Sequence, residues 1–350
     1  MTQQQVMDPL PGQRISETVC LKRKIGQGGM ASIWLAEDSS LERDVAVKFL
    51  TPSLCGRDEA LERFHQEAGA VALIESPHVP KVYREGNMPD GTPFIVMEHL
   101  DGMDLEAHLA AHGHLSLSQA VILLSQLAAA VSAAHAVGIV HRDIKPENVF
   151  LTGPFLREDH THVVAKLLDF GIAKVGLDGL RGLTNPGAIM GTPSYMSPEQ
   201  ILSSSDVDEK SDLWSLGIVA YLALAGRLPF PGESFGAVCV AIHSGRFPLL
   251  SVLRPELPAA LDGWFRKALH PKPSARFQTA REMASAFTVA ARRPSAMAIL
   301  QGEPQDSISR DSLPGVAWTH RWPKPLPRAR VIIAAAACAG ALTLWATVMQ

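Results

Sequence analysis

The chain has 350 residues, 47% of them hydrophobic and 19% charged, with a formal net charge of −3. That length suits two lobes, because one core rarely grows past about 250–300 residues, and the composition excludes collagen-like, coiled-coil and wholly disordered chains. The near-neutral balance excludes a whole-protein basic field for nucleic acid, and a mean hydropathy of +0.09 requires a large core or a membrane segment.

Residues 1–13 are polar with two prolines and no apolar stretch, so no secretory signal is read there. Short apolar or alternating runs at 19–25, 32–37 and 45–49 predict strands, punctuated by Gly26-Gln-Gly28-Gly29 and Ser39-Ser40. Over 59–74 the period changes, and Leu61, Phe64, Ala68, Val71 and Ala72 share one helical face. Strands are predicted again at 81–84 and 94–97, split by the turn Pro89-Asp90-Gly91. These segments make a small, mostly antiparallel sheet with one helix.

After Asp101-Gly102 the pattern becomes helical. Ser116-Leu-Ser-Gln119 fits a capping box, and Leu117, Val121, Leu124, Ala128, Val131 and His135 continue at helical steps. Helices are also predicted at 210–225 and 280–290. Residues 292–330, rich in Pro, Ser and Arg, read as a linker. Residues 331–349 form an uncharged run preceded by Arg321, Trp322, Lys324, Arg328 and Arg330. About 20 apolar residues span a bilayer, and a basic flank stays cytoplasmic, so a transmembrane helix is expected. For so Ala-rich a run, a buried C-terminal helix is the alternative.

Four scattered cysteines (Cys20, Cys55, Cys239, Cys338) include no CxxC pair and read as reduced thiols. The thirteen histidines include no HExxH; His112, His114, His160 and His162 read as exposed loop residues. Gly26-Gln-Gly28-Gly-Met-Ala31 lies between two predicted strands, where glycines let a hairpin approach phosphates. It lacks the GK[ST] of a Walker A loop, and a strand rather than a helix follows it. Val45-Ala-Val47-Lys48 ends an apolar strand on a cation, for which Glu67 is a candidate partner. In isolation the two read as a snorkelling Lys and a solvated Glu.

His141-Arg-Asp143-Ile-Lys145-Pro-Glu-Asn148 is followed by Asp169-Phe-Gly171. With the two preceding motifs, in this order and spacing, the chain resembles the protein kinase family, specifically bacterial serine/threonine kinases of eukaryotic type. The resemblance covers about 19–290. It implies an α+β bilobal fold: a five-stranded small lobe with one helix, a larger mostly helical lobe, and ATP in the cleft. It also implies that Lys48 holds the α- and β-phosphates and pairs with Glu67. Asp143 accepts or orients the acceptor's proton, Lys145 places a cation on the transferring phosphoryl group, and Asn148 and Asp169 ligate Mg²⁺, with Mn²⁺ as an alternative. Met97 becomes the gatekeeper, Glu98 and Leu100 the adenine-binding hinge, and Asp104 a ribose contact. Ile25, Gly26, Gly28, Ile33, Ala46 and Phe150 become nucleotide contacts. Lys145 and Gly191-Thr192-Pro-Ser-Tyr-Met-Ser-Pro-Glu199 point to Ser or Thr acceptors in protein substrates.

Three further matches imply support: an ion pair of Glu199 with Arg276, and Asp212 bracing the catalytic loop. Two residues depart from the family pattern, Ala31 at the third loop glycine and Ser197 at the usual Ala before Pro-Glu; Ser197 reads as a small-for-small swap. Arg142 is expected to read a phosphate on Thr184, placed there by autophosphorylation in a homodimer, with Thr192 structural. The expected plan is a tail (1–18), a kinase domain (19–291, divided at 100/101), a juxtamembrane linker (292–330) and a span (331–349). The implied location is the bacterial inner membrane with the kinase domain cytoplasmic, or the cytoplasm if the run does not insert. A membrane-tethered pseudokinase scaffold and a small-molecule phosphotransferase are the competing readings. Intact Lys48, Glu67, Asp143, Asn148 and Asp169 weigh against the first, and the 191–199 segment against the second.

Overall fold

Val45, Val47 and Phe49 alternate with Ala46 and Lys48, and alternation of this kind sorts a strand's side chains onto two faces. The computed structural model describes residues 8–153, 164–170, 193–202 and 207–294. These fall into two units, one of residues 8–68 and 81–99 and one of 69–80 and 100–294.

In the first unit, β1 (Val19–Gln27), β2 (Ala31–Asp38), β3 (Arg43–Leu50), β4 (Val82–Asn87) and β5 (Pro93–Glu98) form an antiparallel sheet in the order β1-β2-β3-β5-β4. One face packs Val45, Val47 and Phe49 with Trp34, Ala36, Phe94 and Val96, closed by Ile15 and Met88. Each such fully buried side chain stabilises by about 1.5–3 kcal/mol. On the other face, α1 (Asp58–Ala72) packs Phe64 and Ala68 against Leu50 and Ile95. Because β2, β3 and β5 are in register, Ile33 lies opposite Lys48 and Ala46 opposite Met97. Strand alternation therefore puts these four on the face that α1 covers. The five strands and helix match the expected elements, each longer by one to three residues at some ends, as fits pattern reading.

The second unit holds a three-stranded sheet that the sequence pattern did not reveal: β6 (Gly102–Asp104), β7 (Val149–Thr152) and β8 (Val164–Leu167). Segments of three or four residues are too short for periodicity to identify as strands. Gly102 is required here, since a Cβ would lie 2.0 Å from the Leu151 carbonyl oxygen at a φ of +154°. Around this sheet lie α2 (Leu105–His112), α3 (Leu117–Ala136), α4 (Pro198–Leu202), α5 (Glu209–Ala225), α6 (Phe235–Ser244), α7 (Leu250–Leu253), α8 (Ala260–Ala268) and α9 (Ala280–Ala291). Helix α3 opens with the expected capping box, Ser116 and Gln119 each accepting the other's backbone N–H. Among the described residues it is the one helix long and apolar enough to cross a membrane, yet Leu123, Leu127 and Val131 are core residues of this unit. His112 is the last residue of α2 rather than a loop residue, and its ring stacks on buried His108. The expected linker from 295 on, the 331–349 run, His160 and His162 lie outside the described residues.

Candidate active site

The first unit presents an ion pair on the face under α1. Lys48 Nζ lies 2.6 Å from Glu67 Oε1, with side-chain exposures of 12% and 17%. Removed from bulk water, each charge needs the other. In the hairpin between β1 and β2, Gly28 N–H donates to Ala31 O. A Cβ on Gly26 or Gly28 would meet nothing closer than 3.5 Å, one on Gly29 would meet nothing, and none of the three has positive φ. The chain itself does not demand glycine there.

The second unit builds a loop over 141–148 from hydrogen bonds to buried groups. Asp212, 1% exposed at the start of α5, accepts His141 N–H and Arg142 N–H at 2.8 Å each. His135 Nε2 reaches the same carboxylate at 2.8 Å. Periodicity placed His135 among the apolar residues of α3, so this contact was invisible without the fold. Two anchored amides in succession force the chain to turn, and Arg142 takes φ +64°. Non-glycine residues rarely adopt that conformation, and where they do a site is often being shaped.

Asp143 follows. Its N–H donates to His141 Nδ1 at 3.2 Å, while His141 Nε2 donates to Leu168 O at 2.9 Å. Asn148 Nδ2 donates to Asp143 O (2.8 Å) and Asp143 Oδ2 (3.2 Å), and Lys145 Nζ lies 3.6 Å from Oδ2. Pro146 starts the short 3₁₀ turn Pro146–Asn148 that sets this spacing. Leu168 N–H donates to Asn148 O at 2.8 Å, so both backbone groups of Leu168 bind the loop. The next residue, Asp169, is exposed with φ +46°, and Phe170 is buried beside the His141 ring, centroids 4.5 Å apart.

Acidic groups gather near Lys145. Burial pushes the Glu106 carboxyl up, and Glu147 and Asp104 push it further. Asp104 itself caps α2, accepting Ala107 N–H at 2.7 Å, a use the sequence pattern did not suggest. Ile25, Gly26, Gly28, Ile33, Ala46, Met97 and Glu98 lie in the first unit; Leu100, Asp104 and Phe150 lie in the second. Thr184 and Thr192 lie outside the described residues; Arg142 donates to Val207 O at 3.4 Å.

The loop is supported from beneath. Arg276 uses all five N–H groups: Nη1 and Nη2 donate to the two Glu199 oxygens at 2.7 and 2.8 Å, and the remainder to carbonyls of His270, Lys210 and Pro271. Ser197 accepts Gln200 N–H, and Gln200 Oε1 accepts Ser197 N–H, a capping box at the start of α4. Gln200 also donates to Arg142 O at 2.9 Å. Ser197 is thus not a passive replacement for Ala.

A family profile described as "Protein kinase domain" matches residues 20–284. The chain belongs to the protein kinase family. It is 39% identical over 310 residues to the serine/threonine-protein kinase Pkn1 of Myxococcus xanthus, covering 86% of this chain and 43% of Pkn1. It is 35% identical over 274 residues to PrkC of Bacillus subtilis (strain 168), covering 78% of this chain and 40% of PrkC. The chain thus spans about two-fifths of the length of these curated relatives. Among solved structures, the Mycobacterium tuberculosis PknI kinase domain is 28% identical with a TM-score of 0.61, covering 81% of this chain and all of that one. The five-stranded sheet and the helical unit are the architecture of this family.

Proposed function

We propose that the chain is a protein serine/threonine kinase that transfers the γ-phosphoryl group of ATP to Ser or Thr hydroxyls of protein substrates. The observation that carries this reading is the Asp143 carboxylate, held by Asn148 and facing the Lys145 ammonium on a loop pinned by Asp212. Asp143 orients the acceptor hydroxyl and takes up its proton. Lys145 offsets charge on the transferring group, and Lys48, aligned by Glu67, holds the α- and β-phosphates. Transfer through a loose transition state asks chiefly for such positioning and charge neutralisation.

Glycines 26 and 28, not demanded by the chain, leave room for phosphates to approach the hairpin. By the family resemblance Met97 would be the gatekeeper, the Glu98 carbonyl and Leu100 amide would bond adenine, and Ile25, Ile33, Ala46 and Phe150 would contact the ring. Asp104, already a helix cap, has one carboxylate oxygen left for ribose. The donor set fits a hard divalent cation. Asp169 offers an exposed carboxylate, and Asn148, with its nitrogen given to Asp143, offers its carbonyl oxygen. Mg²⁺ or Mn²⁺ held there would neutralise phosphate charge.

A radiolabelled ATP assay with a generic protein substrate, run beside Lys48→Met and Asp143→Asn, tests the reading. Wild type should transfer label to Ser or Thr in a divalent-ion-dependent way, and Asp143→Asn should lose about 10²–10⁴-fold. No transfer by wild type under any condition would favour a pseudokinase scaffold.

The same reading includes regulation and location. Arg142 would meet a phosphate on Thr184, added in trans by a second copy, with Thr192 in a structural role; the kinase domain runs over 19–291 and is anchored by 331–349. Phosphosite mapping after ATP incubation should find Thr184 modified in wild type and not in Asp143→Asn. Membrane fractionation with and without 331–350 should move the protein from pellet to supernatant.

A further inference from the structure

Strand β8 leads into Asp169 and pairs with β7 on one edge only. Among the described residues its other edge faces no strand, yet Ala165 and Leu167 are both 0% exposed, so water cannot satisfy the backbone groups there. Three bonds close that edge. His78 Nδ1 donates to Ala165 O at 3.1 Å, Gln126 Oε1 accepts Ala165 N–H at 2.7 Å, and His78 O accepts Leu167 N–H at 2.8 Å. His78 stands in the connection between α1 and β4, and Gln126 on α3. Two side chains and one carbonyl from separate elements therefore occupy the hydrogen-bonding positions of a missing fourth strand.

We propose that His78 and Gln126 are positioning residues for Asp169: they clamp β8 from its open edge and so fix where the metal-binding carboxylate is delivered. This rests on the reading of Asp169 as a metal ligand given above. A four-residue strand held on one edge frays readily, and fraying of β8 displaces Leu168, whose N–H and C=O tie Asp169 to the 141–148 loop. With the clamp closed, Ala165, Leu167 and Leu168 are each bonded in succession, and Asp169 leaves a strand that cannot slide. Burial lowers the affinity of the His78 ring for a second proton, which keeps it in the neutral form bonded to Ala165.

The covalent structure of the side chains supplies the test. Asn carries an amide N–H at the same number of bonds from Cα as His Nδ1, while Leu places a methyl there. In the full chain, His78→Leu and Gln126→Met should each raise the Mg²⁺ concentration for half-maximal transfer about ten-fold, the order of one lost buried hydrogen bond. His78→Asn should stay within about two-fold of wild type on the same scale. Amide hydrogen exchange at Ala165 and Leu167, measured without nucleotide or metal, should accelerate in His78→Leu and recover in His78→Asn. If His78→Leu lowers Tm but leaves both the Mg²⁺ dependence and the exchange of Leu167 as in wild type, the clamp is a fold contact and the proposal is overturned. A wild type without transfer activity would instead remove the kinase reading, and the exchange comparison alone would then decide the clamp.

Discussion

The His141 ring has both nitrogens committed: Nδ1 accepts from the Asp143 amide and Nε2 donates to Leu168. That arrangement needs the neutral tautomer, and full burial depresses its pKa, outweighing the pull of Asp212 and of Asp143 and Asp169. The unfolded chain takes up a proton below the ordinary value of 6.5, and the folded chain resists it. A depressed value means that the stabilisation is present above pH 6.5 and is lost as pH falls from there. His78 and His108 are displaced in the same direction by burial. The expected outcome is a lower Tm at pH 5.5 than at pH 7.5; an unchanged Tm would contradict the assignment. The motif placed His141 two residues before Asp143 in the chain, but the tautomer is set by Leu168, 27 residues away.

Among the elements, α3 and α4 show two ways a helix start can be legible. Ser116 and Gln119 precede a long periodic run and were read directly. Ser197-Pro-Glu-Gln200 has the same spacing, but α4 is only five residues long and offers no period to attract attention. Ser197 also donates to Ser211 on α5 at 3.1 Å, linking two elements that approach the catalytic loop. Ser197→Ala should cost about 1 kcal/mol, the usual value of a lost N-cap, read as a shift of the urea midpoint with unchanged m. Strands β7 and β8 stayed hidden for the opposite reason: they are buried on both faces, so nothing alternates.

For the whole molecule, the Glu199–Arg276 pair joins distant parts of the second unit, with the Arg276 side chain fully buried and that of Glu199 12% exposed. Burial raises the Glu199 carboxyl, but Arg276 and Ser211 outweigh it and hold the group below its ordinary range. Its stabilisation is therefore present above pH 4.5 and is lost as pH falls below that. Arg276 sits over the Trp214 ring, 4.9 Å from its centroid, so the pair is joined to the core of α5. Arg276→Met should destabilise by about 3–5 kcal/mol, because it strands Glu199 and three carbonyls. Arg276→Lys should recover only part of this, since one ammonium cannot replace five fixed donors. Equilibrium urea unfolding at pH 7 measures both.

From the sequence alone came the family, the two-lobed plan, the strands and helix of the first unit as segments of the chain, and the charged residues nominated for the site; the order of the strands in the sheet came from the fold. The former are carried by local pattern and by motifs whose spacing survives in the linear chain. Lys48 and Glu67 were candidate partners in the sequence, but the family motifs rather than the strand pattern selected the pair that the fold brings within 2.6 Å. Beyond Asp212 and the Glu199–Arg276 pair, which the motifs implied, the partners that hold those side chains in place come from tertiary packing. His135 and Asp212 meet across 77 residues, His141 and Leu168 across 27, and His78 and Ala165 across 87. Such contacts leave no period and no motif, since a hydrogen bond requires only that two groups be close, and closeness over that span is set by packing of the core.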